Sequence, residues 1–272
     1  MPLIASVIAA AAIAAHAGLA GRVVDGTCHS PALGGRLPYV VYTPVGYDGS
    51  RRLPVLYFLH GLPASPNAYR AIGFLTAALE TAGGGRALIV APRGTDTPSG
   101  DPEYLDLGPG RDWQTAITRD LPRCVDASYR TIASRRGRAL IGVSAGGYGA
   151  MLAALHHLDE FSVVESWSGY FVPTNPAGTS RRDLGSAAAN AAASAHEIVR
   201  TQWTRLRGTF LAFYVGSRDR RFLAENRELD AELTARHVPH VFAVYPGGHD
   251  QALWTTHAAA WVALALRHLA HG

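Results

Sequence analysis

The chain has 272 residues, 48% of them hydrophobic, and a formal net charge of +4. That is enough apolar material for one large α/β domain with a buried core, and no composition break divides it. All 25 basic residues are arginine, scattered in ones and twos such as Arg51-Arg52 and Arg135-Arg136 with no aromatic-interleaved stripe, so the charge reads as composition bias and no nucleic-acid partner is expected.

The first 20 residues are uncharged and alanine-rich, about the length of a signal-peptide core or a short membrane anchor. Small-residue cleavage sites occur at Ala15-His16-Ala17 and Leu19-Ala20, although the first basic residue, Arg22, follows the run instead of preceding it. A poor signal peptide, an anchor, and a start placed inside a longer membrane segment are the readings left open. We expect residues 1–22 to form this segment, with export to the cell envelope or exterior and membrane association through it alone. Cys28 precedes the first strands and Cys124 closes a predicted helix. One bridge between them is conceivable, and two unlinked buried cysteines are the alternative. Neither has a second Cys or a His at ligand spacing, so no metal site is expected.

In chain order, apolar β-type runs then alternate with helical ones. Strands are predicted over 39–43, ended by Pro44, and over 55–59, followed by His60-Gly61-Leu62. A helix over 68–82 stops at Gly83-Gly84-Gly85, and a strand over 87–91 opens into a Pro/Gly/Asp-rich loop over 92–111. A helix follows over 112–125. The run Arg138-Ala139-Leu140-Ile141 then leads through Gly142-Val143-Ser144-Ala145-Gly146 into the apolar stretch 148–155, which reads as strand, sharp turn and helix. Further strands fit 163–167, 209–215 and 241–245, with helices over 223–237 and 251–268. Strands separated by helices imply a mostly parallel sheet covered on both faces. The long polar segment from 171 to about 194, within a lid insertion of about 171–207, and the 92–111 loop are the candidate pocket walls.

The elbow is where a nucleophilic serine belongs. A hydroxyl attacks well only when held above a sheet end, beside a base, with N–H groups waiting for the developing oxyanion. If Ser144 is that nucleophile, an acid and a histidine should follow in that order on later strand ends. Asp219, in Gly216-Ser217-Arg218-Asp219, and His249, in Gly247-Gly248-His249-Asp250, occupy those places. Asp250 and Asp183 are rival acids. His60 is a weaker rival base because it precedes the serine. His156, His157, His196, His237 and His268 are expected to face solvent or cap helices. The oxyanion donors are expected to be the N–H groups of Ala145, at the start of the elbow helix, and Leu62.

These motifs resemble the α/β-hydrolase fold, and within it the group of esterase D, feruloyl esterases and secreted mycolyltransferases. The resemblance is carried by 37–44, Leu59-His60-Gly61, 120–131, 142–149 and 245–250. It implies an α/β-hydrolase catalytic domain over 23–272, a triad of Ser144, Asp219 and His249, oxyanion donors Leu62 and Ala145, no cofactor, and a small-molecule, lipid or sugar ester as substrate. The expected activity is carboxylic ester hydrolysis. The alternatives are a cell-envelope acyltransferase using the same triad, disfavoured because the insertion is short for burying a very long acyl chain, and a non-catalytic envelope module.

Overall fold

The computed structural model describes residues 21–62, 65–95, 103–175 and 178–271; residues 1–20 of the N-terminal segment read as a signal or anchor lie outside them, whereas Arg22, placed in that segment from sequence, opens the first strand. Eight strands form one sheet: β1 (Arg22–Ser30), β2 (Gly35–Thr43), β3 (Val55–Leu59), β4 (Leu88–Pro92), β5 (Arg138–Val143), β6 (Val163–Trp167), β7 (Phe210–Gly216) and β8 (Val241–Tyr245). Their spatial order is β1-β2-β4-β3-β5-β6-β7-β8. From β4 to β8 every pairing is parallel, whereas β1 and β2 form an antiparallel hairpin whose β2 runs antiparallel to β4.

The central strands are apolar on both faces because both are covered. Tyr57, Leu59, Leu140 and Phe213 point into one core, with the helix α3 (Ala145–His156) and α6 (Leu223–Ala235). Leu56, Phe58, Ile141 and Tyr214 point into the other, beneath α1 (Gly73–Thr81) and α7 (Gln251–Arg267). This period-2 division of alternate residues is what a strand buried on two faces requires.

Three elements differ from the sequence expectation. Strand β1 was not foreseen: it is an edge strand, mostly exposed, and carries little apolar patterning. The helix expected over 68–82 is a 3₁₀ turn (Ala68–Arg70) followed by α1, with the chain leaving helical geometry at Ala71. Tyr69 and Ile72 are both buried in the same core, and that packing overrides a continuous helix just before the weak helix former Gly73. The helix α2 over 113–128 contains a π segment (Ala116–Asp120) between Trp113–Thr115 and Leu121–Ser128. Pro122, which lacks an N–H and crowds the preceding turn, accounts for the widened register.

Between β6 and β7 lie α4 (Ala187–Ala192), α5 (Ala195–Gln202) and a 3₁₀ turn (Trp203–Gly208). Ser186 and Ser194 cap α4 and α5 by accepting from the N–H groups of Ala189 and Glu197. Among the described residues no helix is long and apolar enough to cross a membrane.

Cys28 and Cys124 are free thiols. They neighbour one another, but each sulfur is turned toward a backbone carbonyl: Cys28 toward Asp120 at 3.5 Å and Cys124 toward Thr27 at 3.9 Å. Burial, then the adjacent Cys124 thiol, pushes Cys28 up to about 12.

Candidate active site

At the end of β5 the backbone reverses into α3 within one residue. Ser144 sits at φ 56°, ψ −121°, a conformation an L-residue holds only when its surroundings over-determine it. Two bonds supply the restraint: Ser144 N–H donates to Trp167 O at 2.9 Å, and Tyr148 N–H donates to Ser144 O at 3.0 Å. The flanking glycines are required for close approach. A Cβ on Gly142 would collide with the Gly146 carbonyl, and one on Gly146 with the Leu59 carbonyl. The turn therefore packs directly on the end of β3.

The two loops after β7 and β8 deliver the other groups. Ser144 Oγ–H donates to His249 Nε2 at 2.9 Å, and His249 Nδ1–H donates to Asp219 Oδ2 at 2.7 Å. The tautomer follows from the carboxylate, which can only accept. Asp219 Oδ1 accepts the N–H groups of Arg221 (3.1 Å) and Phe222 (3.3 Å) in the turn before α6. The carboxylate is fully buried and the imidazole 11% exposed. Ser217 N–H donates to Tyr245 O and Arg218 N–H to Gly247 O, tying the two loops together.

The loop after β3 passes against Ser144: a Cβ on Gly61 would lie 2.9 Å from both Ser144 Cβ and Val143 O. Leu62 comes next, half-buried, and Ala145 opens α3. The loop is held from behind by the Tyr104 hydroxyl, which donates to His60 O at 2.7 Å within the protein interior. Glu103 and Tyr104 both have positive φ (48° and 58°), and the Glu103 carboxylate accepts from Tyr170 Oη–H at 2.6 Å and Thr174 N–H at 3.0 Å. Neither residue carried a signal in the sequence beyond its place in a long polar loop.

The rivals have other employment. Asp250 caps α7 by accepting Leu253 N–H at 3.0 Å. Asp183 accepts from Gly185 N–H and Asn190 Nδ2–H in the insertion. His60 is buried, its Nδ1 bonded to Gly61 O, and burial lowers its pKa. His156 and His157 contact Gln114, and burial lowers the pKa of both. His196, expected at the surface, is 2% exposed and bonds Glu232 at 2.7 Å. Burial opposes its charged form, but Glu225 and Glu232 outweigh that and raise its pKa. His196, Glu228 and Glu232 bring three potential ligand atoms within 4.8 Å of one another. Arg200 already bridges both glutamates, at 3.3 and 2.6 Å, which makes the group an ion-pair clamp between α5 and α6.

A turn-mounted serine, a histidine and an aspartate joined by hydrogen bonds at the strand ends of such a sheet define the α/β-hydrolase class. The family model described as "Putative esterase" matches residues 30–262, and the chain belongs to that family. An esterase of Mycobacterium tuberculosis is 34% identical over 146 residues, 53% of this chain and 30% of the relative. The chain thus spans less than a third of the length of that protein. A ferulic acid esterase structure superimposes with a TM-score of 0.77 at 24% identity, covering 92% of this chain and 99% of its own. An S-formylglutathione hydrolase from Agrobacterium tumefaciens gives 0.76 at 18% identity, covering 93% and 97%. Both share the fold.

Proposed function

We propose that the protein is a serine carboxylic ester hydrolase working through an acyl-enzyme on Ser144. The observation that carries this is the unbroken Ser144–His249–Asp219 hydrogen-bond relay, at 2.9 and 2.7 Å, on a strained turn beside Gly61. Ser144 Oγ attacks the ester carbonyl carbon while its proton passes to His249 Nε2. The carbonyl oxygen, now an anion, is received by the N–H groups of Leu62 and Ala145. As the tetrahedral carbon collapses, the bond to the alkoxy oxygen breaks and His249 returns its proton to that oxygen, releasing the alcohol. Water then attacks the acyl-serine with His249 again as base, the carboxylic acid leaves, and Ser144 regains its proton. Asp219 holds the imidazole in the tautomer this sequence needs and faces the imidazolium when it forms.

The test is hydrolysis of a chain-length series of p-nitrophenyl esters by residues 21–272 beside Ser144→Ala. Serine-dependent release is expected, with a loss of several orders of magnitude in the variant and no loss of folding. Near-normal turnover in Ser144→Ala refutes the assignment. Product analysis with a competing alcohol present separates hydrolysis from transfer.

A further inference from the structure

The imidazole of His249 stands between two aromatic rings that the relay itself does not use. Phe222 meets it at 5.3 Å between centroids and 63° between planes, and Trp254 at 5.4 Å and 86°. The two rings are not equivalent. Phe222 is 3% exposed, packed under Tyr170 at 4.9 Å and covered by the Arg221 guanidinium, whereas Trp254, in the first turn of α7, is only half-buried.

Trp254 is also pinned. Its indole N–H donates to Ser168 Oγ at 3.0 Å. Ser168 is fully buried, has φ 50°, and donates its own N–H to Tyr214 O at 2.7 Å. It directly follows Trp167, whose carbonyl anchors the Ser144 N–H. A non-glycine residue held at positive φ at a strand end is a local cost that the surrounding bonds maintain. Here it aims a hydroxyl at an indole whose ring edges the histidine. From the other side, Asp250 caps α7 and fixes the turn that carries the ring.

From this arrangement we infer that Trp254, set in place by Ser168, is the platform for the alcohol portion of the substrate, and that this subsite selects esters of flat, aromatic alcohols. The inference rests on the proposed acyl-enzyme mechanism. In that mechanism the alkoxy oxygen must come within hydrogen-bond reach of His249 Nε2 to take its proton, so whatever it carries leans on the groups flanking the imidazole. Of the two flanking rings Trp254 is the more accessible. A rigid indole with its polar edge already bonded offers an apolar face that stacks on another ring without desolvating a donor.

The experiment holds the acyl group constant and varies the alcohol. Kinetics of 2-naphthyl acetate and 2,2,2-trifluoroethyl acetate are measured for the unmodified protein, Trp254→Ala, Trp254→Leu and Ser168→Ala. The ratio of kcat/KM for the naphthyl over the trifluoroethyl ester is expected to fall about ten-fold in Trp254→Ala and Trp254→Leu, and about three-fold in Ser168→Ala, chiefly through KM. Inhibition by 2-naphthol should weaken in parallel, while inhibition by 3-phenylpropionate, an acid-side probe, should not. An unchanged ratio with both esters equally impaired makes Trp254 a support for His249 and overturns the subsite. Weakened inhibition by the acid with the alcohol unaffected puts the ring on the acyl side and overturns it as well. If Trp254→Ala does not fold, the leucine variant and Ser168→Ala decide. Ser144→Ala run on the same esters isolates the mechanism: activity surviving there sinks the acyl-enzyme reading, whereas an unaltered ratio in the Trp254 variants with Ser144→Ala inactive sinks only the subsite.

Discussion

Asp219 and Glu165 are both buried carboxyl groups, one at the rim of the sheet and one in the middle of β6, and their hydrogen-bond partners differ. Asp219 receives three N–H donors, from His249, Arg221 and Phe222. Glu165 is 0% exposed, and its Oε2 accepts the Trp167 indole N–H at 2.9 Å, with Tyr214 adjacent and no cationic partner among the described residues. Burial pushes the Glu165 carboxyl up to about 8, the Trp167 indole bond and the nearby Tyr214 hydroxyl offsetting only part of it. Depth alone therefore does not join a carboxyl to the Ser144–His249 relay. A turn that converges donors on the carboxylate, and a histidine on its far oxygen, make the difference.

The comparison breaks most visibly by removing the rim charge. Asp219→Asn is expected to lower kcat by about 10⁴-fold, because an amide can present its NH₂ to the imidazole and favour the wrong tautomer. The loss should appear without a matching loss of thermal stability. The largest rival effect, Asp250→Asn, should cost less than about ten-fold, since Asp250 caps α7 and asparagine caps nearly as well. Steady-state kinetics of the two variants side by side check this, and the reverse ranking would move the acid to Asp250.

Glu165 sharpens the other half. A carboxyl whose folded-state pKa is raised from 4.5 to about 8 binds its proton more tightly folded than unfolded. Its stabilising contribution is fully present below pH 4.5, declines as pH rises through that window, and is lost above about 8. The total is on the order of a few kcal/mol. Glu165→Gln should flatten this slope, leaving the variant more stable than the parent at pH 8.5 with ester hydrolysis retained. Urea midpoints across pH 4–9 measure it, and an unaltered slope would mean the carboxyl is not the group that titrates.

Much of the site was legible because its parts are local in sequence. The elbow glycines, the strand before Ser144 and the helix after it lie within one continuous run, residues 138–156, and Asp219 and His249 each follow an apolar strand. What was not legible depends on long-range packing. Strand β1 exists because β2 pairs with it, not because its own sequence alternates. Tyr104 supports the loop after β3 across 44 residues, and Ser168 meets Trp254 across 86. His196 lies on the face of α5 packed against α6, and its burial there, beside Phe171 and paired with Glu225 and Glu232, depends on residues distant in sequence. The π segment in α2 could have been suspected, since Pro122 stands inside an otherwise continuous helical pattern.

The most direct test of the central claim is covalent. The protein is treated with an organophosphonate ester probe and the labelled peptide is mapped by mass spectrometry, with Ser144→Ala and Asp219→Asn alongside. A single adduct on Ser144, absent from Ser144→Ala and formed far more slowly in Asp219→Asn, is the predicted result. No adduct on the folded protein, or an adduct on another residue, would contradict the account.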